Sequence, residues 1–313
     1  MSQIHLNYYY SYDISKFSMV KVIYFLYLSL YLTESTVFSG FFQESDHVKA
    51  NLIAEVQSIQ PGQSFSVGVL LELEKDWHTY WQNPGDSGLP IDIKWKLPSG
   101  FIPGDVQWPY PDRFGTESVM NFGYFEEVLL ITEIQASPSV NPGETVSIEA
   151  DIEWLVCKEE CLPGSAGLTL SLPVQNKEPS FDPVWAKKFM DTRMKLPIRS
   201  TDWSVRATVK KNHAFLSITF PPSFKNEMKD IYFFPEQSEL FDYSAPQLFE
   251  KTEDGYIIQV RISVRARNFP YNLKGVLVSD KSWIHESDYR ALRIVVPLAQ
   301  HSEDKITHKE VIR

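Results

Sequence analysis

Hydrophobic and polar residues alternate along short segments of the first half of the chain, and turn signals separate these segments. The alternating segments lie at residues 65–73, 91–97, 146–156 and 168–172, and residues 128–134 form a denser apolar run. Such alternation is typical of half-buried β-strands. The intervening Pro, Gly, Asn and Ser clusters lie at residues 61–62, 83–88, 98–100, 103–104 and 141–143. With no helical period between the strands, the pattern predicts an antiparallel β-sandwich.

The pattern changes at residues 178–197 and then returns. Asp182 followed by Pro183 suits a helix start, and residues 184–190 suit a short helix. Alternation resumes near Trp203, and the later predicted strands lie at residues 214–220, 256–264 and 291–298. We therefore predict an all-β protein of two antiparallel sandwiches joined by a short helical linker. The predicted divisions are residues 1–40, 44–176, 177–199, 200–300 and a charged tail at 301–313.

Residues 19–39 have the order of a secretory signal. Lys21 precedes an apolar run over residues 22–32, and small residues follow as far as Ser39. This order is typical of a cleaved export signal, and the run is shorter than the roughly 20 residues that span a bilayer. An uncleaved anchor or a buried strand is the alternative. We expect an exported, periplasmic protein without a transmembrane segment in the mature chain, in a compartment where disulfides persist.

The overall composition is globular and acidic. Of the 313 residues 43% are hydrophobic and 22% are charged, and the formal net charge is -10. This balance disfavours nucleic acid and anionic membrane surfaces as partners. The length favours two domains. The sequence contains no nucleophile elbow and no phosphate-binding loop, and we expect no cofactor.

Two cysteines, Cys157 and Cys161, stand at the end of the most regular alternating segment. Within residues 146–156 the apolar side chains occupy the even positions. Cys157 is in phase with the polar face, so the pattern predicts that its side chain points away from the core. Residues 158–160 read as a polar turn, and the Leu-Pro-Gly sequence at 162–164 is expected to end the strand.

Three interpretations of the cysteine pair are open: a redox-active dithiol, a structural disulfide and half of a metal site. Metal is the weakest, because tetrahedral zinc needs four ligands and no second Cys pair or His-x-x-x-His sequence accompanies these two. We therefore expect no metal. A disulfide that closes so short a loop stabilises the folded domain by only roughly 2 kcal/mol. A domain of this size can bury enough core to fold without that contribution. Exposed disulfides are the labile ones, which favours the redox interpretation over the structural one.

Three runs in the first domain, residues 77–90, 107–115 and 121–127, are dense in aromatic residues. We interpret them as loops whose Trp and Tyr side chains pack over the ends of the sandwich. His78 lies in the first run. A single histidine beside two tryptophans is more often structural than catalytic.

The following phrases carry a resemblance: Tyr80-Trp81-x-Asn83-Pro84-Gly85-Asp86-Ser87-Gly88, Trp108-Pro109-x-Pro111-x-Arg113-Phe114, Gly123-Tyr124-x-x-Glu127-Val128 and Trp154-Leu155-Val156-Cys157-x-x-x-Cys161-x-Pro163. They resemble the N-terminal periplasmic domain of the DsbD family, and more closely its ScsB-like relatives. The resemblance covers residues 48–174 and is much weaker beyond Trp203. It implies an immunoglobulin-like sandwich with Cys157 and Cys161 as the catalytic pair. Electrons would come from a thioredoxin-like domain and pass to exported substrates.

The resemblance also implies an aromatic cap that shields the pair from unwanted exchange. By position the cap falls at residues 112–115, with Asp112 and Phe114 as its candidates and Tyr124 as a second one. In the family the second cysteine meets the partner. That implication agrees with access, since Cys161 follows a polar turn whereas Cys157 ends a strand, which makes Cys157 the leaving and resolving thiol.

Two departures from the family are visible in the sequence. Three residues separate the cysteines here, whereas better-known members have five, and neither a polytopic membrane domain nor a Cys-x-x-Cys follows. We expect a stand-alone exported segment that takes electrons from a thioredoxin-like domain or a membrane electron-transfer protein. Exported thiol-disulfide proteins would be its acceptors.

The charges beside the pair indicate a guarded relay, a component of a thiol:disulfide oxidoreductase system, rather than a broad oxidant. Glu159 and Glu160 should disfavour the thiolate, and Lys158 should partly offset them. The alternative is an extracytoplasmic binding module without redox activity, in which the disulfide is structural.

Overall fold

The computed structural model of the chain describes residues 43–45, 47–222, 224, 227–285 and 287–300. The predicted export signal and the predicted charged tail lie outside the described residues. Strands dominate the described part, and no helix within it has the length and apolarity needed to cross a membrane.

The first half of the described chain forms two antiparallel sheets that pack face to face. Its strands are β1 (Gln43–Ser45), β2 (Val48–Ala54), β3 (Ser64–Leu73), β4 (His78–Gly85), β5 (Asp92–Lys96), β6 (Phe101–Gln107), β7 (Asp112–Gly115), β8 (Met120–Phe125), β9 (Glu127–Ala136), β10 (Thr145–Cys157) and β11 (Cys161–Pro173). One sheet has the order β1-β2-β3-β9-β6, and the other has the order β11-β10-β4-β8-β7 with β5 on β10. Val67 and Val69 of β3 and Ile148 and Ile152 of β10 share the core between them. The predicted all-β, immunoglobulin-like sandwich is confirmed.

Most aromatic residues of the three runs lie in strands of the second sheet, so the interpretation of these runs as loops is wrong for most of them. Strands β4, β7 and β8 contain most of these aromatic residues and pair in the order β4-β8-β7. Tyr80 and Trp81 are neighbours in β4, and both are buried. Consecutive strand residues point to opposite faces, so both faces of β4 are covered there and the polar-apolar alternation that marks a strand is lost.

Strands β10 and β11 form a long hairpin that continues through the Leu-Pro-Gly sequence expected to end it. The register runs from Thr145↔Pro173 to Cys157↔Cys161. Pro163 is tolerated because β11 is an edge strand of its sheet. Gly164 lies opposite Trp154, and a Cβ atom at this position would be 2.4 Å from Cε2 of that indole. Glycine here therefore makes room for the tryptophan, rather than ending the strand.

Helix α1 (Ala186–Arg193) begins two residues later than the sequence predicts. Its N-cap is Trp185, which makes no side-chain capping bond. The Asp182 carboxylate instead accepts hydrogen bonds from the backbone N–H groups of Val184 and Trp185, at 2.8 and 3.0 Å. Asp182 thus stabilises the turn that leads into the helix, as an Asx residue commonly does.

Helix α1 covers the outer face of the first sheet and is more than a linker. Phe189 is fully buried. It packs against four side chains of β2, β3 and β9, namely Ile53, Leu70, Leu129 and Ile131. Arg193 makes a two-point ion pair with the Glu55 carboxylate and donates to the Ser66 hydroxyl. Both faces of this sheet are therefore covered beside the helix.

The second half of the described chain forms a further set of paired strands. They are β12 (Ser204–Lys210), β13 (His213–Thr219), β14 (Ile231–Pro235), β15 (Leu248–Lys251), β16 (Gly255–Arg261), β17 (Asn272–Ser279) and β18 (Ala291–Gln300), in the order β14-β17-β18-β12-β13-β16-β15. Strand β18 pairs antiparallel with β17 and parallel with β12. The sequence pattern indicated β13, β16 and β18 but not β14, in which every residue is buried.

The two halves share a continuous hydrophobic core, and the described residues fall within one compact unit, Gly40–Arg313. Phe122 of β8 lies 5.1 Å from Phe234 and 5.3 Å from Tyr243, measured between ring centroids. Asn83 of β4 is buried, and its amide nitrogen donates to the Pro235 carbonyl at 2.7 Å and to the Tyr243 hydroxyl at 3.2 Å. The domain boundaries drawn from the sequence stay predictions.

We expect Phe189→Ala to lower the free energy of unfolding by about 3–5 kcal/mol, because it removes a fully buried aromatic ring. Met190→Ala on the same helix is the matched control, since Met190 is 58% exposed and should change stability by less than about 0.5 kcal/mol. Urea unfolding of both variants is the measurement. Similar midpoints for Phe189→Ala and the unsubstituted protein would contradict the packing described for α1.

Candidate functional site

The β10–β11 hairpin brings the two cysteines together as its last paired residues. Cys157 and Cys161 face each other across the hairpin with Cα atoms 4.2 Å apart, and they form a disulfide. Residues 158–160 close the turn with a backbone hydrogen bond of 3.1 Å from the Lys158 N–H to the Glu160 carbonyl. The hairpin register alone therefore sets the two sulfur atoms at bonding distance.

The two sulfur-bearing residues differ sharply in exposure. Cys157 is 3% exposed, whereas Cys161 is exposed. Cys157 lies on the face of β10 that the pattern predicts, opposite the core-facing Trp154 and Val156, and it is nevertheless buried. Cys157 pairs with His78 of the neighbouring strand β4, and Tyr80 of the same strand contacts its sulfur atom. An attacking thiol can therefore reach Cys161 much more easily than Cys157.

Tyr80 places its hydroxyl beside both sulfur atoms. Its hydroxyl donates a hydrogen bond to Cys157 Sγ at 3.1 Å and lies 3.9 Å from Cys161 Sγ. Burial raises the pKa of Tyr80, so the hydroxyl stays protonated and can donate at neutral pH. Gly88, with φ of 95°, lets the ring sit here, since a Cβ atom at Gly88 would be 2.3 Å from Tyr80 Cε1.

An aromatic cluster of His78, Tyr80, Phe114 and Phe125 surrounds this end of the hairpin. His78 lies 4.3 Å from Phe114 and 5.4 Å from Tyr80, and Phe125 lies 5.1 Å from Phe114, between ring centroids. Burial lowers the pKa of His78, so its imidazole is neutral at pH 7. The cluster thus gives Cys157 a largely apolar, uncharged surrounding.

The cap candidates from the sequence fall in different places. Phe114 belongs to the aromatic cluster, and Asp112 lies on the same face of β7 but is exposed. Tyr124 is buried on the opposite face of β8 from Phe125, and its hydroxyl donates to the Pro109 carbonyl at 2.7 Å. Burial, and then the charge of Asp112, raises the pKa of Tyr124. The structure therefore brings Phe114 to the site and places Tyr124 in the core instead.

Sequence reasoning did not single out Tyr80, Phe125 or the role of His78. A signal was present, because a period of two puts His78 and Tyr80 on one face of a strand. That signal was hidden by the interpretation of residues 77–90 as a loop.

The charges around the turn are solvent-exposed. Lys158 Nζ lies 3.3 Å from an oxygen of Asp76, and both side chains are more than 40% exposed. Such a pair contributes little to stability and is weakened by salt. Glu159 and Glu160 are exposed. Among the described residues, no group of three or more His, Cys, Asp or Glu side chains is arranged to hold a metal ion.

Comparison with known proteins assigns the first sandwich to a family. Residues 45–173 match the family model described as "Thiol:disulfide interchange protein DsbD, N-terminal". Residues 45–173 form a DsbD N-terminal domain. The DsbD N-terminal match contains the whole β10–β11 hairpin and the disulfide, and it ends before α1 and the second sandwich. It therefore supports a thiol–disulfide exchange domain in this part of the chain.

Solved structures extend the likeness beyond the DsbD N-terminal domain. The N-terminal periplasmic domain of ScsB from Proteus mirabilis has a TM-score of 0.60 and 17% identity, over 83% of this chain and 98% of that one. This likeness shows a shared fold that includes the second sandwich. The GAE domain of GGA1 from yeast matches 43% of this chain and 99% of its own, with 14% identity and a TM-score of 0.26, which is too low to support a conclusion. No curated protein matches the chain in sequence.

We expect Tyr80→Phe to raise the pKa of the Cys157 thiol in the reduced protein. The variant removes a hydrogen bond to a thiolate, and bonds to charged groups contribute about 1.5 kcal/mol or more. The measurement is the pH dependence of alkylation at each cysteine, followed by mass spectrometry. Tyr124→Phe is the matched control, because its hydroxyl bonds to Pro109. Equal Cys157 pKa values in the two variants would refute the role given to Tyr80.

We expect Phe114→Ala to leave the fold intact and to speed alkylation of the reduced pair about 3- to 10-fold. The variant opens the aromatic cluster by removing ring contacts of about 0.5–1.5 kcal/mol. Phe181→Ala is the control, since this phenylalanine is 68% exposed. An unchanged alkylation rate in the folded Phe114→Ala variant would show that Phe114 does not shield the cysteine pair.

Proposed function

We propose that this protein is an exported thiol–disulfide exchange protein that relays reducing equivalents through Cys157 and Cys161. Electrons come from a thioredoxin-like domain or a membrane electron-transfer protein, and exported thiol-disulfide proteins accept them. The observation that carries the proposal is the asymmetry of the pair: one sulfur-bearing residue is exposed, and the other is buried beside a hydrogen-bond donor. That asymmetry suits stepwise exchange with a protein partner.

The proposed reaction begins at Cys161. A thiolate of the donor attacks Cys161 Sγ and forms a mixed disulfide, while the bond between Cys161 and Cys157 breaks. The electron pair of that bond goes to Cys157 Sγ, which leaves as a thiolate. Its negative charge develops 3.1 Å from the Tyr80 oxygen, whose proton already points to this sulfur. Tyr80 therefore stabilises the leaving group without surrendering its proton.

The second step completes the transfer of two electrons. The donor's other cysteine attacks its own sulfur in the mixed disulfide, so the donor becomes oxidised and Cys161 leaves as a thiolate. Passage to an acceptor runs the same steps in reverse. The Cys161 thiolate attacks the acceptor disulfide, and Cys157 then attacks Cys161 Sγ, which releases the reduced acceptor and restores the disulfide.

The hairpin argues against the alternative of a structural disulfide in a binding module. Cys157 and Cys161 are the last of the register pairs between two strands of 13 residues each. The strands are thus held together without the cross-link, which in the chain-entropy model adds only about 2 kcal/mol for so short a loop. A disulfide that the fold does not need is better explained by exchange.

The periplasm is the proposed location. The solved ScsB domain is described as periplasmic, and the order of residues 19–39 suits an export signal. Exchange between disulfides also requires a compartment in which they persist.

We expect Cys157→Ser to accumulate a covalent complex with a thioredoxin-like partner that lacks its own resolving cysteine. The partner's remaining cysteine is first loaded as a mixed disulfide with thionitrobenzoate. Cys161 remains in this variant and is exposed, so its thiolate can attack that sulfur and displace the thionitrobenzoate anion, and no second thiol is present to resolve the protein–protein disulfide. Cys161→Ser should accumulate much less complex, because Cys157 is buried. The complex is measured by non-reducing electrophoresis and mass spectrometry.

The variant lacking both cysteines is the background control for this trap. Equal trapping by the two single variants would refute the assignment of Cys161 as the attacked sulfur. No complex with either variant, in proteins shown to be folded, would argue against exchange with thioredoxin-like partners.

A further inference from the structure

The turn that carries the disulfide concentrates negative charge beside the exposed sulfur atom. Glu159 and Glu160 directly precede Cys161, and all three residues are exposed. Neither carboxylate makes a hydrogen bond or an ion pair with any residue in the described part of the chain. Consecutive Cα atoms are about 3.8 Å apart, so both charges lie within about 10 Å of Cys161 Sγ, roughly one Debye length at 0.1 M salt.

The positive charges near the turn do not compensate these carboxylates. Lys158 Nζ lies 3.3 Å from an oxygen of Asp76. Lys75 stands in the β3–β4 turn between two acidic residues, Glu74 and Asp76. Strand β11 has no charged residue, and the burial that lowers the pKa of His78 leaves this imidazole neutral at pH 7. The turn and its surroundings therefore keep a net negative charge.

This charge acts on the first step of the proposed exchange. That step brings a thiolate to Cys161 Sγ, and a thiolate that is an isolated anion is repelled by the two carboxylates. A thiolate on a protein surface that carries positive charge is attracted instead, which raises the rate of encounter. The attacked sulfur atom therefore distinguishes thiols by the charge around them.

We propose that Glu159 and Glu160 are specificity-determining residues that select a thiol partner whose reactive cysteine is flanked by lysine or arginine side chains. They take no part in the bond changes: the partner thiolate bonds to Cys161 Sγ, the bond to Cys157 breaks, and its electron pair goes to Cys157 Sγ. The carboxylates act only on the approach of the partner. The existence of this partner rests on the proposed exchange function, whereas the charge selection at Cys161 is a property of the turn.

The test compares two small thiols that share one carbon skeleton and differ in charge. The thiolate of cysteamine also carries an ammonium group and has no net charge, whereas the thiolate of 2-mercaptoethanesulfonate carries two negative charges. The measurement is the initial rate at which each thiol forms a mixed disulfide with the oxidised full chain, followed by acid quenching and mass spectrometry. The ratio of the two rates is compared between variants, because a change in the disulfide itself affects both thiols equally and cancels.

The double variant Glu159→Gln with Glu160→Gln should lower the ratio of the cysteamine rate to the sulfonate rate by about 5- to 15-fold at about 0.01 M salt. The reason is that the two carboxylates no longer repel 2-mercaptoethanesulfonate. Replacing both glutamates by lysine should lower the ratio further. At about 1 M salt, where the Debye length is about 3 Å, the unsubstituted protein and the variants should give similar ratios.

The matched control removes two carboxylates at the other end of the same hairpin. Glu144→Gln with Glu149→Gln changes the net charge of the chain by the same amount as the test variant, and both residues are exposed. Glu149 is the nearer of the two to the disulfide, and at about 3.3 Å per residue along β10 it lies about 26 Å from Cys157. This control should change the ratio by less than about 2-fold.

An unchanged ratio in the folded double variant overturns the proposal. An equal fall in the control also overturns it, because the preference would then come from the overall charge of the chain, which is -10. Since small thiols replace the protein partner, the measurement does not depend on the proposed exchange function. The expected fall in the ratio together with a failed cysteine trap would refute the exchange function and leave the charge selection at Cys161 standing.

Discussion

Strand β4 is buried on both faces, and the site depends on this constraint. His78 and Tyr80 face the disulfide, whereas Trp81 lies on the other side, 6.2 Å from Phe234 of the second sandwich between ring centroids. A close-packed strand cannot move one face without disturbing the other. The surroundings of Cys157 are therefore fixed partly by side chains that never approach a sulfur atom.

The double burial also explains which strands could be predicted from the sequence. Strands β10, β13 and β16 have one wet face, so alternation marked them. Strands β4 and β14 are covered on both sides and lose the alternation, so the sequence pattern does not mark them as strands. Alternation in a single sequence arises only where one face of a strand is exposed to solvent. It therefore misses strands that are buried on both faces.

The site was predicted unevenly for a related reason. Strand phase gave the face on which Cys157 lies but not what covers that face, since the cover comes from β4, β7 and β8, far away in sequence. The family resemblance pointed to Phe114, which joins the aromatic cluster, and to Tyr124, which does not. The position of a motif in the sequence does not tell which of its side chains faces the disulfide, because adjacent residues of a strand point to opposite faces of the sheet. A period of two places Tyr80 on the same face as His78, but the hydrogen bond from Tyr80 to Cys157 is visible only in the structure.

The length of the β10–β11 hairpin has a consequence for the proposed exchange reaction. Reduction breaks the bond between Cys157 and Cys161, whereas the backbone register from Thr145↔Pro173 to Val156↔Leu162 is made of hydrogen-bonded strand pairs that do not contain this bond. We therefore expect the oxidised and reduced proteins to have nearly the same shape. A partner that recognised shape alone would bind the oxidised and the reduced form with similar affinity. The form that had already reacted would then compete with the unreacted form for the partner. The proposed exchange therefore requires a partner that distinguishes a disulfide from two thiols, because the shape of the hairpin does not distinguish them.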